Sequence, residues 1–246
     1  MCIRDRWNDG FSVTYDYETN TMTLRGKGAF HGSLTDLTED YRGNEISLFL
    51  HDRTDTLVIE DGITDFGEDN CNNFSYTDNI IVGKDCKNFP KAHLSYEIDP
   101  QNPYFASYDG ALYNKELTKL LFLPEKITSI DFPPNLQVIG NEAIIYSDVD
   151  PLVIPWGVTT IGGENFSRQT GEVIIPDTLI NHSDAKIEFP NGFFTVCSEN
   201  NQEREFWKYE ATQAFGPINA TKIVHNAYGI TPNTLKTCLL YTSRCV

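Results

Sequence analysis

The residues able to do chemistry in this 246-residue chain are its carboxylates, five histidines, six cysteines and a set of loop aromatics. Carboxylates come first because there are 35 of them against 19 lysines and arginines. Two close pairs, Glu68 with Asp69 and Asp148 with Asp150, have the residue type a glycosidase uses, since that chemistry needs two carboxyl groups across one cleft. The same stretches, Glu68-Asp69-Asn70 and 148–150, place oxygen atoms on turns where calcium or plain turn chemistry would equally use them. Neither follows the Asp-x-Asp-x-Asn-Gly order of a calcium loop, so no metal and no cofactor is expected. His31, His51, His93, His182 and His225 stand singly and never at i, i+4 spacing, which argues against a zinc pair or a paired base. Gly26-Lys27-Gly28 with Gly32 has the wrong spacing for a dinucleotide loop and no βαβ context. There is no GxSxG elbow, no phosphate loop and no HExxH. The chain therefore reads as a protein without catalysis.

Cysteines give no framework either. Cys2, Cys238 and Cys245 lie in the terminal stretches, leaving Cys71, Cys86 and Cys197, too widely spaced for a zinc knuckle and read as small apolar core residues. The ends, MCIRDR and CLLYTSRCV, resemble translated adapter sequence found at the ends of metagenomic reading frames, so residues 1–6 and 238–246 are expected to be non-native tails. On that reading the natural chain is longer, and a signal peptide or wall anchor belongs to the lost part.

Aromatics remain as binding candidates. Tyr104, Phe105, Tyr108 and Tyr113 cluster in one segment, and Trp156 follows Pro155 at a turn where the next repeat has Asp177. A loop Trp or Tyr stacks on a sugar ring or anchors a protein contact, whereas the same rings can simply pack a hairpin. Trp156, Tyr104 and Tyr108 are taken as the candidate ligand-binding residues.

What positions these residues is a repeat. Residues 130–140 read IDFPPNLQVIG, 152–162 LVIPWGVTTIG and 173–180 VIIPDTLI, with prolines at 133, 155 and 176. A fourth copy, LVIEDGITDFG at 57–67, carries Glu60 in the proline position, and a degenerate fifth starts at Ile80. Gly67, Gly140 and Gly162 are each followed four residues later by Cys71, Ile144 and Phe166. A period of about 22 residues is too short for a βαβ unit, which needs roughly 30. Each copy must then be one or two short strands with tight turns, pairing in parallel with the next copy and burying its apolar face there. The terminal glycine of VIG and TIG fits a corner at positive φ.

Around the repeat lie other elements. Two stretches, 110–113 and 119–123, flank a turn and predict a β-hairpin inserted near 99–124. Alternation over 11–17 and 21–25 predicts another hairpin at the N-terminal side. Beyond the repeats, 193–197 reads as a strand, 203–215 as a helix and 222–225 as a strand. The expected organisation is a β-rich cap over 7–55, a repeat solenoid over 56–190 and a strand–helix–strand cap over 191–237. The fold class is mainly β: a leucine-rich-repeat-like solenoid of short parallel strands, an inserted hairpin and caps at both ends.

The pattern of apolar triplet, proline, turn and Ile-Gly resembles the BspA-type leucine-rich repeat of bacterial surface proteins. The insert NPYFASYDGALYNKELTKLLFLP and the opening VTYDYETNTMTLRGKGAF are similar to segments such proteins carry. Glu60 and the eroded copy at Ile80 depart from that pattern, and the match weakens after Pro190. The resemblance implies an extracellular or cell-surface location and a role in adhesion or recognition of a protein or glycan. A formal charge of −16 disfavours nucleic acid and anionic membrane as partners, and no run is long enough to insert in a membrane. A monomer is expected. The alternatives are a polysaccharide-active β-solenoid enzyme with paired carboxylates, and a structural spacer.

Overall fold

The structure, a computed structural model, describes residues 10–32 and 34, most of 51–166, and strands at 2–6, 173–176, 194–198 and 220–225. Within 51–166 the exceptions are 72, 75, 94, 146, 156 and 164. The chain is mainly β and forms two compact units, Met1–Glu116 and Leu117–Val246, with the boundary inside the expected insert.

The first unit is built on β1 (Cys2–Arg6), β2 (Ser12–Asp16) and β3 (Thr21–Arg25), paired antiparallel in that order. The hairpin expected over 11–25 is present, and Asn20 closes it with a φ of 49°. Residues 2–6, expected to lie outside the fold, run in register along β2. From β3 the sheet continues in parallel through β5 (Thr56–Ile59), β7 (Asn79–Val82) and β8 (Ser95–Ile98). The alternation of side chains explains the stacking. Met22, Leu57, Ile80 and Tyr96 are in register on one face, then Leu24, Ile59, Val82 and Ile98, and all eight are buried. Burying a large apolar side chain is worth about 1.5–3 kcal/mol, so each added strand stabilises the one before it. A second, short pairing joins β4 (Gly28–Ala29) to β6 (Ile63–Asp65), and the single-turn helix α1 (Glu68–Cys71) follows. The two strands of the copy at 57–67 thus belong to two different ladders.

The last strands of this unit differ from the expected hairpin. β9 (Phe105–Tyr108) pairs antiparallel with β10 (Ala111–Asn114) around Asp109-Gly110, both at positive φ (48° and 76°). Those angles define the tight turn that matches strand twist, and Asp-Gly is its favoured sequence. The predicted strand at 119–123 is β11 (Lys119–Phe122), which pairs in parallel with a later strand.

In the second unit β11, β12 (Val138–Ile139) and β14 (Thr160–Ile161) form a parallel ladder that buries Leu120, Ile139 and Ile161 in one row. A separate parallel ladder contains β13 (Leu152–Val153), β15 (Val173–Pro176), β16 (Phe194–Ser198) and β17 (Ala220–His225). Leu152 pairs with Val173, as the repeat requires, and Pro176 is the last residue of its strand. Triplet 130–132 forms no strand, although Ile130 is buried and Asp131 points to solvent. The predicted helix at 203–215 lies outside the described residues. The elements expected as a cap contribute β16 and β17 to the ladder itself.

Corners are held by polar side chains that hydropathy does not reveal. Asn165, fully buried, donates to Gly140 O (2.7 Å) and Gly162 O (2.8 Å) and accepts from Ile144 N (2.8 Å). Asn70 does the same for Gly32 O, Phe66 O and Leu34 N. Both stand three residues after the repeat glycine, where the other copies place Cys86 and Ala143. All four positions are buried. Gly67 has the expected positive φ of 84°. Gly140 and Gly162 do not, and their requirement is close approach: an added Cβ would lie 2.9 Å from Leu120 O or 2.6 Å from Asn141 N.

Candidate functional site: a groove on the parallel sheet face

Alternate residues of β5, β7 and β8 point away from the core, and register lines them up in rows. Val58 stands beside Ile81, and Ile81 beside Glu97. One step along, Gly83 N donates to Ile59 O (2.8 Å) and Asp99 N to Val82 O (2.9 Å), which sets Glu60, Gly83 and Asp99 in the next row. These two rows and Asp61 line a groove of about 460 Å³. Its floor is half-buried Val58 and Ile81, with Glu60 and Asp61 on one side and Glu97 and Asp99 on the other. Gly83 stands between the acids and must be glycine, because the Asp61 backbone packs against it: a Cβ there would lie 2.7 Å from Asp61 N.

Two of these carboxylates already have cationic partners. Arg25 Nε meets Glu60 Oε1 at 2.8 Å, and Lys84 Nζ meets Asp61 Oδ2 at 2.6 Å. Asp61 Oδ1 also accepts Lys84 N (3.0 Å), so the side chain ties one corner to the next, 23 residues on. The hydrogen bond from Lys84 holds the Asp61 carboxyl below its ordinary range, and the same bond raises the Lys84 ammonium. An acid held ionised in this way is a poor proton donor. Asn141 makes the matching corner contact without charge, accepting Gly163 N at 3.0 Å.

The groove is joined to the hairpin aromatics by Asn102. Its buried amide donates to Gly83 O (3.0 Å) and Cys86 O (2.9 Å), while its Oδ1 accepts Tyr104 N (2.9 Å) and Phe105 N (3.1 Å). Tyr104 and Tyr108 are 50% and 37% exposed, as a binding role requires. Phe105 and Tyr113 turn inward instead. Phe105 packs edge-on against Phe89 at 5.3 Å, and Tyr113 is fully buried with its hydroxyl raised far above the usual phenol range by burial. Trp156 lies outside the described residues, although its turn is visible: Val158 N donates to Pro155 O (3.3 Å) and Gly157 has a φ of 103°.

The other sequence candidates do not converge. Asn70 is buried, with its amide bonded to the backbone of Gly32, Leu34 and Phe66. Asp148 and Asp150 are exposed on either side of buried Val149. Among the described residues no three His, Cys, Asp or Glu side chains are grouped to hold a metal. His93 stacks on exposed Tyr76, ring centres 6.0 Å apart. Cys86 is buried, which pushes its thiol up to about 11, and it donates to Asn88 O at 3.2 Å; Cys71 is half-buried.

No family model and no curated protein matches the chain. Among solved structures, a leucine-rich repeat protein from Eubacterium ventriosum is similar at a TM-score of 0.36 and 13% identity, covering 92% of this chain and 78% of that one. The pneumococcal vaccine antigen PcpA is similar at a TM-score of 0.33 and 12% identity, covering 91% and 98%. Likeness at that level decides neither fold nor function.

Sequence reading missed the groove acids. Glu60 is visible only as an irregularity in the proline position, and β8 falls 16 residues after β7 rather than one full period later. The alternation in Tyr96-Glu97-Ile98 was the available signal.

Proposed function

We propose that this chain is a non-catalytic recognition module of the leucine-rich-repeat solenoid type. It works as a monomer at the cell surface or outside the cell, and it binds a protein or glycan through its parallel sheet face and the adjoining tyrosines. The observation that carries the proposal is the groove with its half-buried apolar floor and acidic sides, joined through Asn102 to exposed Tyr104. Two half-buried aliphatic side chains, and an exposed tyrosine tied to Gly83 through Asn102, offer area for contact. Two of the four acids are engaged by Arg25 and Lys84, an arrangement suited to holding charge in place more than to moving protons.

The test uses the full chain on immobilised matrix proteins, mucins and bacterial or plant glycans, with retention and released sugar read from the same wells. Retention without release, reduced at least fivefold by Tyr104→Ala with Tyr108→Ala, is the expected result. Trp156→Ala in the same assay tests the remaining candidate. Released sugar would establish the enzyme instead, and silence in both channels would leave a spacer.

A further inference from the structure

The groove has a chemistry that narrows its partner. Of its lining side chains four are carboxylates, Glu60, Asp61, Glu97 and Asp99, and none is basic. Acidic composition alone does not explain this. The groove on the parallel ladder of β11, β12 and β14, about 420 Å³, has Lys119 as its charged lining residue and no carboxylate. Register places Glu60, Gly83 and Asp99 in one row, neighbouring strands being about 5 Å apart, so the acids of β5 and β8 flank the groove. The existing partners do not block the site. Arg25–Glu60 and Lys84–Asp61 are exposed, solvent-screened pairs, which an incoming cation can share or displace. Glu97 and Asp99 face them across the groove; Asp99 Oδ1 accepts Gln101 N at 2.7 Å, and its charge also acts on Lys84. Between the acids, Val58 and Ile81 offer an apolar strip for the neighbouring side chain.

We infer that this groove docks an extended protein segment that puts a lysine or arginine beside Glu97 and Asp99 and an aliphatic side chain on Val58 and Ile81. Basic and apolar residues two apart lie on the same face of an extended chain and supply that pair. The inference rests on the recognition reading above and names the chemical class of partner for the same face.

The probe is a fluorescein-labelled peptide with lysine and valine two residues apart, a repeat of Lys-Ser-Val-Ser, titrated against the full chain by fluorescence anisotropy in 0.15 M salt. The Glu97→Gln/Asp99→Asn variant is expected to weaken binding at least tenfold. A control, Glu18→Gln/Glu142→Gln, removes the same charge from exposed turns and is expected to change it less than twofold. Ile81→Ser, with its melting curve recorded alongside, is expected to weaken binding again. Equal loss in the acid variant and the control would overturn the inference, since net charge alone would then account for attraction. Absence of binding would overturn it too, as would tighter binding of a chitosan oligomer than of the peptide. The acid variant also goes through the retention assay. Unchanged retention there would remove the groove while leaving recognition standing; loss of all retention by the parent chain would remove recognition itself.

Discussion

Glycine positions in this chain carry two different physical requirements that look the same in sequence. Gly67 sits at positive φ, where an L side chain is strained. Gly162 has an ordinary φ but lies against the backbone of the preceding corner, where an added Cβ would meet Asn141 N at 2.6 Å and the Asn141 Oδ1 as well. Its neighbour Gly163 has nothing within 4 Å of an added Cβ. Gly162→Ala is therefore expected to lower stability by about 1–3 kcal/mol, the cost of overpacking. Gly163→Ala should be neutral or stabilise by up to about 1 kcal/mol through the unfolded chain. Paired urea melts decide the matter, and equal effects of the two would refute close packing at that corner. The repeat revealed that a glycine belonged at 140 and 162, but not why, because steric contact comes from a residue 20 or more positions away. Buried Asn70 and Asn165 were hidden for the same reason: their partners include backbone groups distant in sequence, such as Gly32 and Gly140, and a polar residue in an apolar register looks like a loop.

At the scale of the element, period and apolar register were enough to place β5, β7, β13 and β15, though not β8. Leu57, Ile80, Leu152 and Val173 all sit where the copies put them, paired in parallel. The hairpin was misplaced because 110–113 and 119–123 were weighed by hydropathy, whereas Asp109-Gly110 fixes the turn by backbone angle. Phe105–Tyr108 is only half-buried and leaves little hydropathic trace. Two predictions belong here. Ile154 is buried beside β13, so Ile154→Asp puts an unpaired charge in the stack, costing several kcal/mol. Loss of the cooperative melt is expected, and an unchanged curve would refute the register. The second concerns the corner staple. Asp61→Asn keeps the acceptor for Lys84 N, as Asn141 shows, and removes only the ion pair. Because the hydrogen bond from Lys84 lowers the Asp61 pKa, the folded state binds this proton less readily than the unfolded state does. Its contribution is full above the ordinary value of 3.8 and disappears as pH falls through the lower folded value. Asp61→Asn should thus melt below the parent at pH 7, and the two should converge in acid. Parallel curves at every pH would mean the pair contributes nothing.

For the whole molecule the dominant electrostatic fact is a net charge of −16, and its consequence depends on which of two opposed effects of salt is larger. Self-repulsion of like charge destabilises the compact state, and salt relieves it as the screening length falls from about 30 Å at 0.01 M to about 8 Å at 0.15 M. Salt also weakens exposed pairs such as Arg25–Glu60 and Lys84–Asp61, but water already screens pairs of this kind and they contribute little. Repulsion acts among all 35 acidic residues, so its relief should exceed what the pairs lose. The melting temperature is expected to rise by a few degrees between 0.01 and about 0.3 M sodium chloride, while affinity for the lysine–valine peptide falls over the same range. Opposite signs in one titration separate the two roles of the acidic residues: collectively they cost the fold stability, and at the groove they select a cation. A melting temperature that fell together with affinity would show that local pairing outweighs repulsion. The carboxylates would then count chiefly as staples between corners.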